Sequence, residues 1–147
     1  MSGEVIEVRA PQTEQEWARY YALRWRILRR PWQQNGPDRD ESDNIAIHRM
    51  VCTGDDEVLA VGRLHRVDEH TGQIRFMAVA EGRERQGYGS RLLIELEQVA
   101  LELPVNTVIL QAREAAVPFY RHHGYQLLEK TFLLFNEIQH YLMQKKR

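Results

Sequence analysis

The chain has 147 residues, 43% of them hydrophobic, which suits one domain with its own core and leaves too little length for two. Charged residues make up 28% of the chain and nearly cancel, to a formal net charge of -1, whereas disordered chains and nucleic-acid-binding proteins favour unbalanced charge. We therefore predict a single domain over residues 1–147 with no nucleic-acid partner.

The first third of the chain predicts a strand, a helix and a polar loop. Residues 5–8 indicate a short strand, and Thr13 with Glu16 forms the capping box of a helix. Pro31 is expected to end this helix or to begin a short second one, and residues 35–44 predict a loop. Within this helix, the residues at helical spacing are Trp17, Tyr20, Tyr21, Arg24, Ile27 and Leu28.

Three strands joined by tight turns follow, as in an antiparallel meander. They are predicted at residues 45–53, 58–67 and 73–80, with turns at 54–57 and 70–72.

The pattern then changes to that of a parallel crossover. A Gly/Arg loop at 82–89 leads into a helix at 90–103, and the apolar run at 107–110 predicts a strand buried on both faces. The remaining elements are a short helix at 115–123 capped by Gly124, strands at 125–132 and 138–144, and a solvated tail at 145–147. This order predicts an α/β fold with a mixed sheet.

Cys52 is the one cysteine, which excludes an intramolecular disulfide and a cysteine-rich metal site. The first residues lack the basic start and apolar core of a signal peptide, and no apolar run reaches the roughly 20 residues of a membrane span. We expect a cytoplasmic protein with no membrane partner and no metal site, and Cys52 as a small core residue.

The loop at residues 83–90 has the features of an anion site. It lies between a predicted strand and a predicted helix, where free backbone N–H groups and the helix dipole favour negative charge. Gly87 and Gly89 would let the backbone approach a pyrophosphate, and Arg83 and Arg85 would add positive charge. By itself, a glycine pair before a helix is also typical of a tight turn, and neither a P-loop nor the dinucleotide fingerprint is present.

A second pattern, Phe-Tyr-Arg-His-His-Gly-Tyr at 119–125, completes a pair of motifs. Together with Gly87-Tyr88-Gly89 it resembles the GNAT superfamily of acyl-CoA-dependent N-acyltransferases. The resemblance covers most of the chain and is strongest with the ElaA-like branch of small bacterial acetyltransferases, which shares the Gly62-Arg63 step, Val117 to Tyr125, and His140 with Met143.

This resemblance implies a GNAT fold whose fourth and fifth strands splay apart. It also implies acetyl-CoA as the cofactor, and transfer of its acetyl group to a primary amine of a small-molecule acceptor. It allows a homodimer paired through the late strands.

Two residues depart from the family's pattern. Glu84 stands where Gln or Arg is usual, and we expect weaker pyrophosphate binding because backbone N–H groups carry most of that contact. Arg75 stands where related branches often place a glutamate as base or water-holder. The second departure favours an alternative function, a catalytically weak acyl-CoA-binding sensor or interaction module.

The resemblance implies reacting residues. Tyr120 is implied as the general acid near the cofactor sulfur, with packing on the cofactor as its alternative role. The candidates for the general base are His65 and His140, with His48, Asp68 or a water chain as weaker choices.

Other residues are implied in binding. The implied cofactor-binding residues are Met77, Ala78, Val79, Arg85, Gln86, Gly87, Tyr88, Gly89, Ser90 and Phe119. Arg24, Arg26, Arg63 and Arg75 either line an acceptor pocket or lie on solvated faces. In the first case the acceptor is expected to carry a carboxylate or phosphate, because arginine binds those groups bidentately.

Overall fold

The computed structural model describes residues 5–29 and 41–146 of the chain. Short 3-10 helices cover Glu41–Asn44 and Glu114–Ala116. The other elements, in chain order, are β1 (Ile6–Arg9), α1 (Glu14–Leu28), β2 (Ile47–Thr53), β3 (Val58–Arg66), β4 (Thr71–Val79), α2 (Tyr88–Glu102), β5 (Thr107–Arg113), α3 (Val117–His122), β6 (Gln126–Leu134) and β7 (Ile138–Lys146).

All these strands form one seven-stranded sheet in the order β1-β2-β3-β4-β5-β7-β6. Neighbouring strands are antiparallel except β4 and β5, which are parallel and joined through α2. The predicted fold class, an antiparallel meander followed by a parallel crossover, is confirmed. No helix within the described ranges is long and apolar enough to span a membrane.

The capping box at the start of α1 is confirmed. The Glu16 N–H donates to Thr13 Oγ1 at 3.1 Å, and the Glu16 carboxylate accepts from the Gln12 N–H at 2.8 Å. Arg9, at the end of β1, also binds this carboxylate at 2.7 Å, and the Arg9 guanidinium contributes to lowering the pKa of Glu16 to about 2. The start of α1 is thereby fixed against the first edge of the sheet.

The two long helices cover opposite faces of the sheet. On the α1 face, Tyr20 and Leu23 pack with Val61 and with Cys52, which is buried as predicted. On the other face, α2 packs on alternate residues of β3 and β4; the fully buried members include Ala60, Leu64, Leu92, Leu93 and Leu96. The period-2 alternation of β3 therefore directs Arg63, two residues after Val61, toward α1.

Two expectations for the second half of the chain are wrong. The strand that begins at Thr107 is not buried on both faces: Val108 and Leu110 are buried on the α2 face, whereas Ile109 on the other face is only half-buried. Lys145 is not in a solvated tail but in β7, with its Nζ 3.2 Å from Glu97 Oε1. A buried carboxylate in α2 requires such a partner.

The predicted loop at 35–44 is a 3-10 helix over its last four residues, because Asp43 is held by buried side chains. Pro31 and residues 35–40 lie outside the described residues. That residues 1–147 form one domain stays a prediction.

Candidate active site

Strands β4 and β5 are paired only at their beginnings. Their register runs from Thr71 opposite Thr107 to Ile74 opposite Leu110, whereas β4 continues to Val79 and β5 to Arg113. Beyond Ile74 the two strands separate, as expected for splayed fourth and fifth strands. The separation exposes one edge of β4, whose backbone groups then face a cleft rather than a neighbouring strand.

A β-bulge in β4 begins where the strands separate. The register between β3 and β4 shifts between Val61 and Arg63, and Phe76 has φ of 58°, which is rare for a bulky residue. Its ring lies 3.8 Å from the guanidinium carbon of Arg24 and 4.8 Å from that of Arg63. A backbone strain of about 1–3 kcal/mol persists only where such surroundings hold it.

Gly62 on β3 accommodates the bulge. A Cβ atom at this position would stand 2.8 Å from Met77 Sδ and 3.2 Å from side-chain atoms of α2. The glycine of the Gly62-Arg63 step is therefore needed for close packing of Met77 between β3 and α2.

The arginines of this step and of α1 share one carboxylate. Arg24 binds Asp43 with two hydrogen bonds of 3.0 Å, and Arg63 Nη1 lies 2.5 Å from Asp43 Oδ1. Both arginine side chains are 0% exposed. We therefore revise the expectation that Arg24 and Arg63 contact the acceptor, because the carboxylate holds them beneath Phe76. Arg26 is also elsewhere, paired with Glu81 at 2.9 Å.

His48 belongs to this buried cluster and does not face the cleft. Its Nε2 lies 2.9 Å from the Asp43 carbonyl oxygen, so Nε2 carries the hydrogen, and Nδ1 accepts from the Tyr20 hydroxyl at 2.7 Å. Burial lowers the pKa of His48, with the two arginines adding to the effect. A neutral, fully bonded histidine at this place has a structural role.

The cleft between the separated strands is a cavity of about 380 Å³. Tyr120 of α3 and His140 of β7 both line it, and Arg75, which lies over Phe76, lines it from β4. Burial raises the pKa of Tyr120 to about 12, an effect that the nearby charge of Arg113 partly opposes. The Tyr120 phenol is therefore protonated throughout the neutral range.

His140 is held in one tautomer. Its Nδ1 lies 3.0 Å from the Ile138 carbonyl oxygen and must donate to it, so in the neutral ring Nε2 is the acceptor. The ring stacks on Phe132 with centroids 4.5 Å apart. Burial lowers the pKa of His140, and Arg113, its partner in the β5–β7 register, lowers it further.

The other base candidates lie elsewhere. His65 on β3 is opposite Gln73 and is not among the described residues that line the cavity. Asp68 is in the turn after β3, where its carboxylate accepts from the His70 N–H at 2.8 Å. Of the candidate acids and bases, the structure brings together Tyr120 and His140.

The glycine loop leads into α2 with left-handed residues. Gly87, the N-cap, has φ of 86°, and Arg85 has φ of 66°. The first-turn N–H groups of α2, those of Tyr88, Gly89 and Ser90, have no partner within the helix by geometry and favour an anion.

Side chains of the loop are divided between the site and the surface. Ser90 Oγ lies 2.8 Å from His123 Nε2, and Arg85 is exposed. The Gln86 amide donates to the Gly82 carbonyl at 3.3 Å. Arg83 instead binds Glu57 at 2.8 Å, so it does not add charge at the helix terminus.

The loop, β4 and α3 meet at Gly89. A Cβ atom there would lie 3.5 Å from Phe119 Cζ and 3.5 Å from Val79 Cγ2. Phe119 in turn packs edge-on against Tyr120, with ring centroids 5.0 Å apart. The predicted anion site at the start of α2 is thereby connected to the cavity through one layer of side chains.

Backbone N–H and C=O groups of β4 point alternately to its two edges. The Ala80 N–H donates to the Leu59 carbonyl at 2.8 Å, so by alternation Ala78 also bonds to β3 and Val79 faces the cleft. We revise the expectation for Ala78 accordingly. Val79 stays a predicted cofactor-binding residue, and by the same alternation the backbone groups of Met77 point to the same edge of β4 as those of Val79.

Sequence reasoning missed Arg29 and Arg113, both of which line the cavity. A signal existed for Arg113, which directly precedes the second motif at the carboxyl end of a predicted strand. Arg29 lies just beyond α1, in an arginine-rich stretch where no local pattern distinguishes a cleft residue from a surface one.

Known proteins share both sequence and fold with this chain. The sequence model of the Acetyltransferase (GNAT) family matches residues 17–125. The uncharacterized N-acetyltransferase YjcF of Bacillus subtilis (strain 168) is 33% identical over 116 residues, covering 77% of this chain and 81% of that protein.

Two solved structures share the fold at low identity. Escherichia coli ElaA superimposes with a TM-score of 0.80 at 18% identity, covering 97% of this chain and 99% of that one. A GNAT family acetyltransferase from Elizabethkingia anophelis with acetyl-CoA bound has a TM-score of 0.77 at 15% identity, with full coverage of both chains at 100%. With the sequence matches, these findings show that the chain belongs to the GNAT acetyltransferase family, whose cofactor is acetyl-CoA.

Proposed function

We propose that this protein transfers an acetyl group from acetyl-CoA to a primary amine of a small-molecule acceptor. The observation that carries the proposal is the cleft beyond Ile74, where Tyr120 and His140 line one cavity next to the N-terminus of α2. Family membership supports the acetyl transfer, and the cavity volume of about 380 Å³ supports a small acceptor.

The donor groups of the site fit the cofactor. Outward N–H groups at the start of α2, from Gly89 and Ser90, suit a pyrophosphate, and the open edge of β4 at Val79 suits the amides of pantetheine. Gly87 permits the left-handed turn that directs these groups to one place. When bound, acetyl-CoA supplies an acetyl thioester that is activated toward an amine.

We assign His140 as the proton acceptor. Its Nδ1–H is engaged with the Ile138 carbonyl, and its lowered pKa keeps the ring neutral at pH 7, so Nε2 can accept a proton from the amine nitrogen. His140 replaces the carboxylate that related branches place on β4, where this chain has Arg75.

We assign Tyr120 as the donor to the leaving sulfur. A phenol with a pKa of about 12 is a weaker acid than a thiol, whose pKa is about 8.5, so Tyr120 acts as a hydrogen-bond donor. Tyr120 keeps its own proton throughout. The proton that the thiol finally carries is the one that the amine released to His140.

A second candidate function is acyl-CoA sensing without turnover. The observation in its favour is that the described residues lining the cavity include no aspartate or glutamate, and Arg75 occupies the position of the usual carboxylate. Such a protein would bind acetyl-CoA through the same loop and release no thiol when amines are added.

Release of CoA thiol from acetyl-CoA, measured with and without a panel of primary amines, tests the proposal. We expect amine-dependent release, with an acetylated amine detected by mass spectrometry and a large loss in Tyr120→Phe. Binding of acetyl-CoA without amine-dependent release would contradict the transferase and favour the sensor.

A further inference from the structure

We propose that the acceptor amine carries a carboxylate or a phosphate, and that the cavity arginines, Arg29, Arg75 and Arg113, select it. This inference rests on the proposed acetyl transfer and names the class of its acceptor. It depends on where the positive charges of the cleft lie, and on whether they are near the acceptor or near the cofactor.

The cavity arginines come from three different elements. Arg75 is the first residue of β4 beyond its last pair with β5, Arg113 is the last residue of β5, and Arg29 directly follows α1. All three line the same cavity, whose lining within residues 5–29 and 41–146 includes no aspartate or glutamate. Arginine guanidinium groups bind carboxylates and phosphates through two parallel hydrogen bonds. Neutral or cationic groups on an acceptor do not form this bidentate pair.

Further positive charge lies behind the cavity wall. Phe76 lines the cavity, and the guanidinium groups of Arg24 and Arg63 lie against its ring. Asp43 is a carboxylate bound to both of these arginines. A low-dielectric wall screens such charge less than water does.

This charge is separate from the expected cofactor site. No residue of 80–90, the loop that precedes and begins α2, is among the described residues lining the cavity. The pyrophosphate is expected at the start of α2, whereas Arg113 lies beside Tyr120 and His140, where the acetyl group would be transferred. The cavity arginines are therefore placed to act on the acceptor.

The same charge assists deprotonation of the acceptor. Acetyl transfer needs a neutral amine, and nearby positive charges disfavour the ammonium form. A neutral amine is not attracted by the positive charge of the cavity. An anionic group on the same acceptor molecule supplies this attraction to the arginines. The same field disfavours binding of polyamines and lysine-rich peptides, which carry further positive charges.

The cavity also limits the size and polarity of the acceptor. Its volume of about 380 Å³ is at the lower end for small-molecule sites, and Phe132, Leu134 and Ile138 give it an apolar wall. An amino acid with an apolar side chain, or a short aminoalkyl phosphate, combines the required amine, anion and size.

Matched acceptor pairs test this inference. The probes are phenylalanine against phenylalaninamide, phosphoethanolamine against ethanolamine, and spermidine, with kcat/KM measured by thiol release. We expect the anionic member of at least one pair to exceed its neutral partner by tenfold or more, and spermidine to be the poorest substrate. The two pairs separate a carboxylate preference from a phosphate preference.

Variants assign the preference to the arginines. Arg113→Gln and the exposed Arg75→Gln should each reduce kcat/KM for the anionic amine about 10- to 100-fold, as for loss of one charge-assisted hydrogen bond, and should reduce kcat/KM for the neutral amine by a smaller factor. Arg19→Gln removes one exposed charge of α1 that does not line the cavity and is the matched control.

The outcomes separate this inference from the proposed function. Acetylation of neutral amines or spermidine at equal or higher kcat/KM would overturn the inference that the acceptor is anionic. The proposed acetyltransferase function would stand. A preference for anions that neither Arg75→Gln nor Arg113→Gln reduces would overturn the assignment to these arginines. Failure to acetylate any amine, with acetyl-CoA bound, would overturn both proposals.

Discussion

The two halves of β4 differ in the number of strands that hold them. From Thr71 to Ile74 the strand pairs with β3 on one edge and β5 on the other, and Ile74 is buried against α2. From Arg75 to Val79 it pairs with β3 alone and contains the bulge at Phe76. We call these the paired half and the splayed half.

This difference shows how one strand serves both stability and function. In the paired half both edges of the strand are paired with neighbouring strands, so this half can only support the sheet. In the splayed half one edge is available, and the side chains of Arg75 and Phe76 line the cavity instead of a core. In this half β5 no longer supports β4, and the buried cluster of Arg24, Arg63 and Asp43 beneath Phe76 supports it instead.

Breaking that support should have the largest effect. In Asp43→Ala, Arg24 and Arg63 stay buried without the carboxylate that both bind, which should cost about 3–5 kcal/mol in the free energy of unfolding. Urea denaturation measures it. Glu81→Ala is the control, because its exposed pair with Arg26 should contribute no more than about 1 kcal/mol. Equal losses in the two variants would contradict the role of the cluster.

Tyr120→Phe tests the chemistry of the cavity. Removing the buried hydroxyl should lower kcat about 100-fold or more while leaving the Kd for acetyl-CoA unchanged, because the donor acts on the sulfur only as it leaves. Steady-state thiol release and calorimetry measure the two quantities. Tyr141→Phe in β7 removes a hydroxyl outside the described cavity lining and should keep full activity. An unchanged kcat in Tyr120→Phe would remove it from the mechanism.

Gly87→Glu tests the anion site at the start of α2. A carboxylate there repels a pyrophosphate, and a side chain at φ of 86° strains the turn, so the Kd for acetyl-CoA should rise about tenfold or more. Gly82→Glu is the matched control, with φ of 80° and open space around the added side chain, but five residues further from the helix. If both variants bind acetyl-CoA like the native protein, the loop is not the cofactor site.

A further predicted effect is on stability in mild acid. Burial lowers the pKa of His48, His123 and His140 in the folded protein, so the unfolded chain binds protons first as the pH falls. Stability is complete above about pH 6.5 and decreases below it, by at most about 1.4 kcal/mol per pH unit for each histidine. Urea midpoints between pH 7.5 and 5.5 should show this slope, reduced in His140→Gln. A pH-independent midpoint would contradict buried, neutral histidines.

The paired half and the helices could be predicted from sequence because local patterns determine them. The spacing of Leu92, Leu93 and Leu96 predicts the buried face of α2, and Gly124 has the left-handed φ of 90° expected at the end of α3. Resemblance to a family then located Tyr120 and His140, which the structure brings to one cavity.

The splayed half could not be predicted in detail because distant contacts determine it. The positive φ of Phe76 depends on guanidinium groups from α1 and β3, and no local pattern encodes it. Arg24 occupies a buried position of α1, but its burial follows only once Asp43 is known to be its partner. Arg113 was missed because a charged residue at a strand end resembles a surface residue until the strands separate.

Hydrogen exchange with and without acetyl-CoA tests the comparison of the two halves most directly. If the cofactor pairs with the open edge of β4, the amides of Met77 and Val79 within residues 75–79 and those of the loop at 83–90 should gain protection. The amides of 71–74, already paired on both edges, should not change. Acetyl-CoA binding without protection at 75–79, or with protection confined to other strands, would contradict the account.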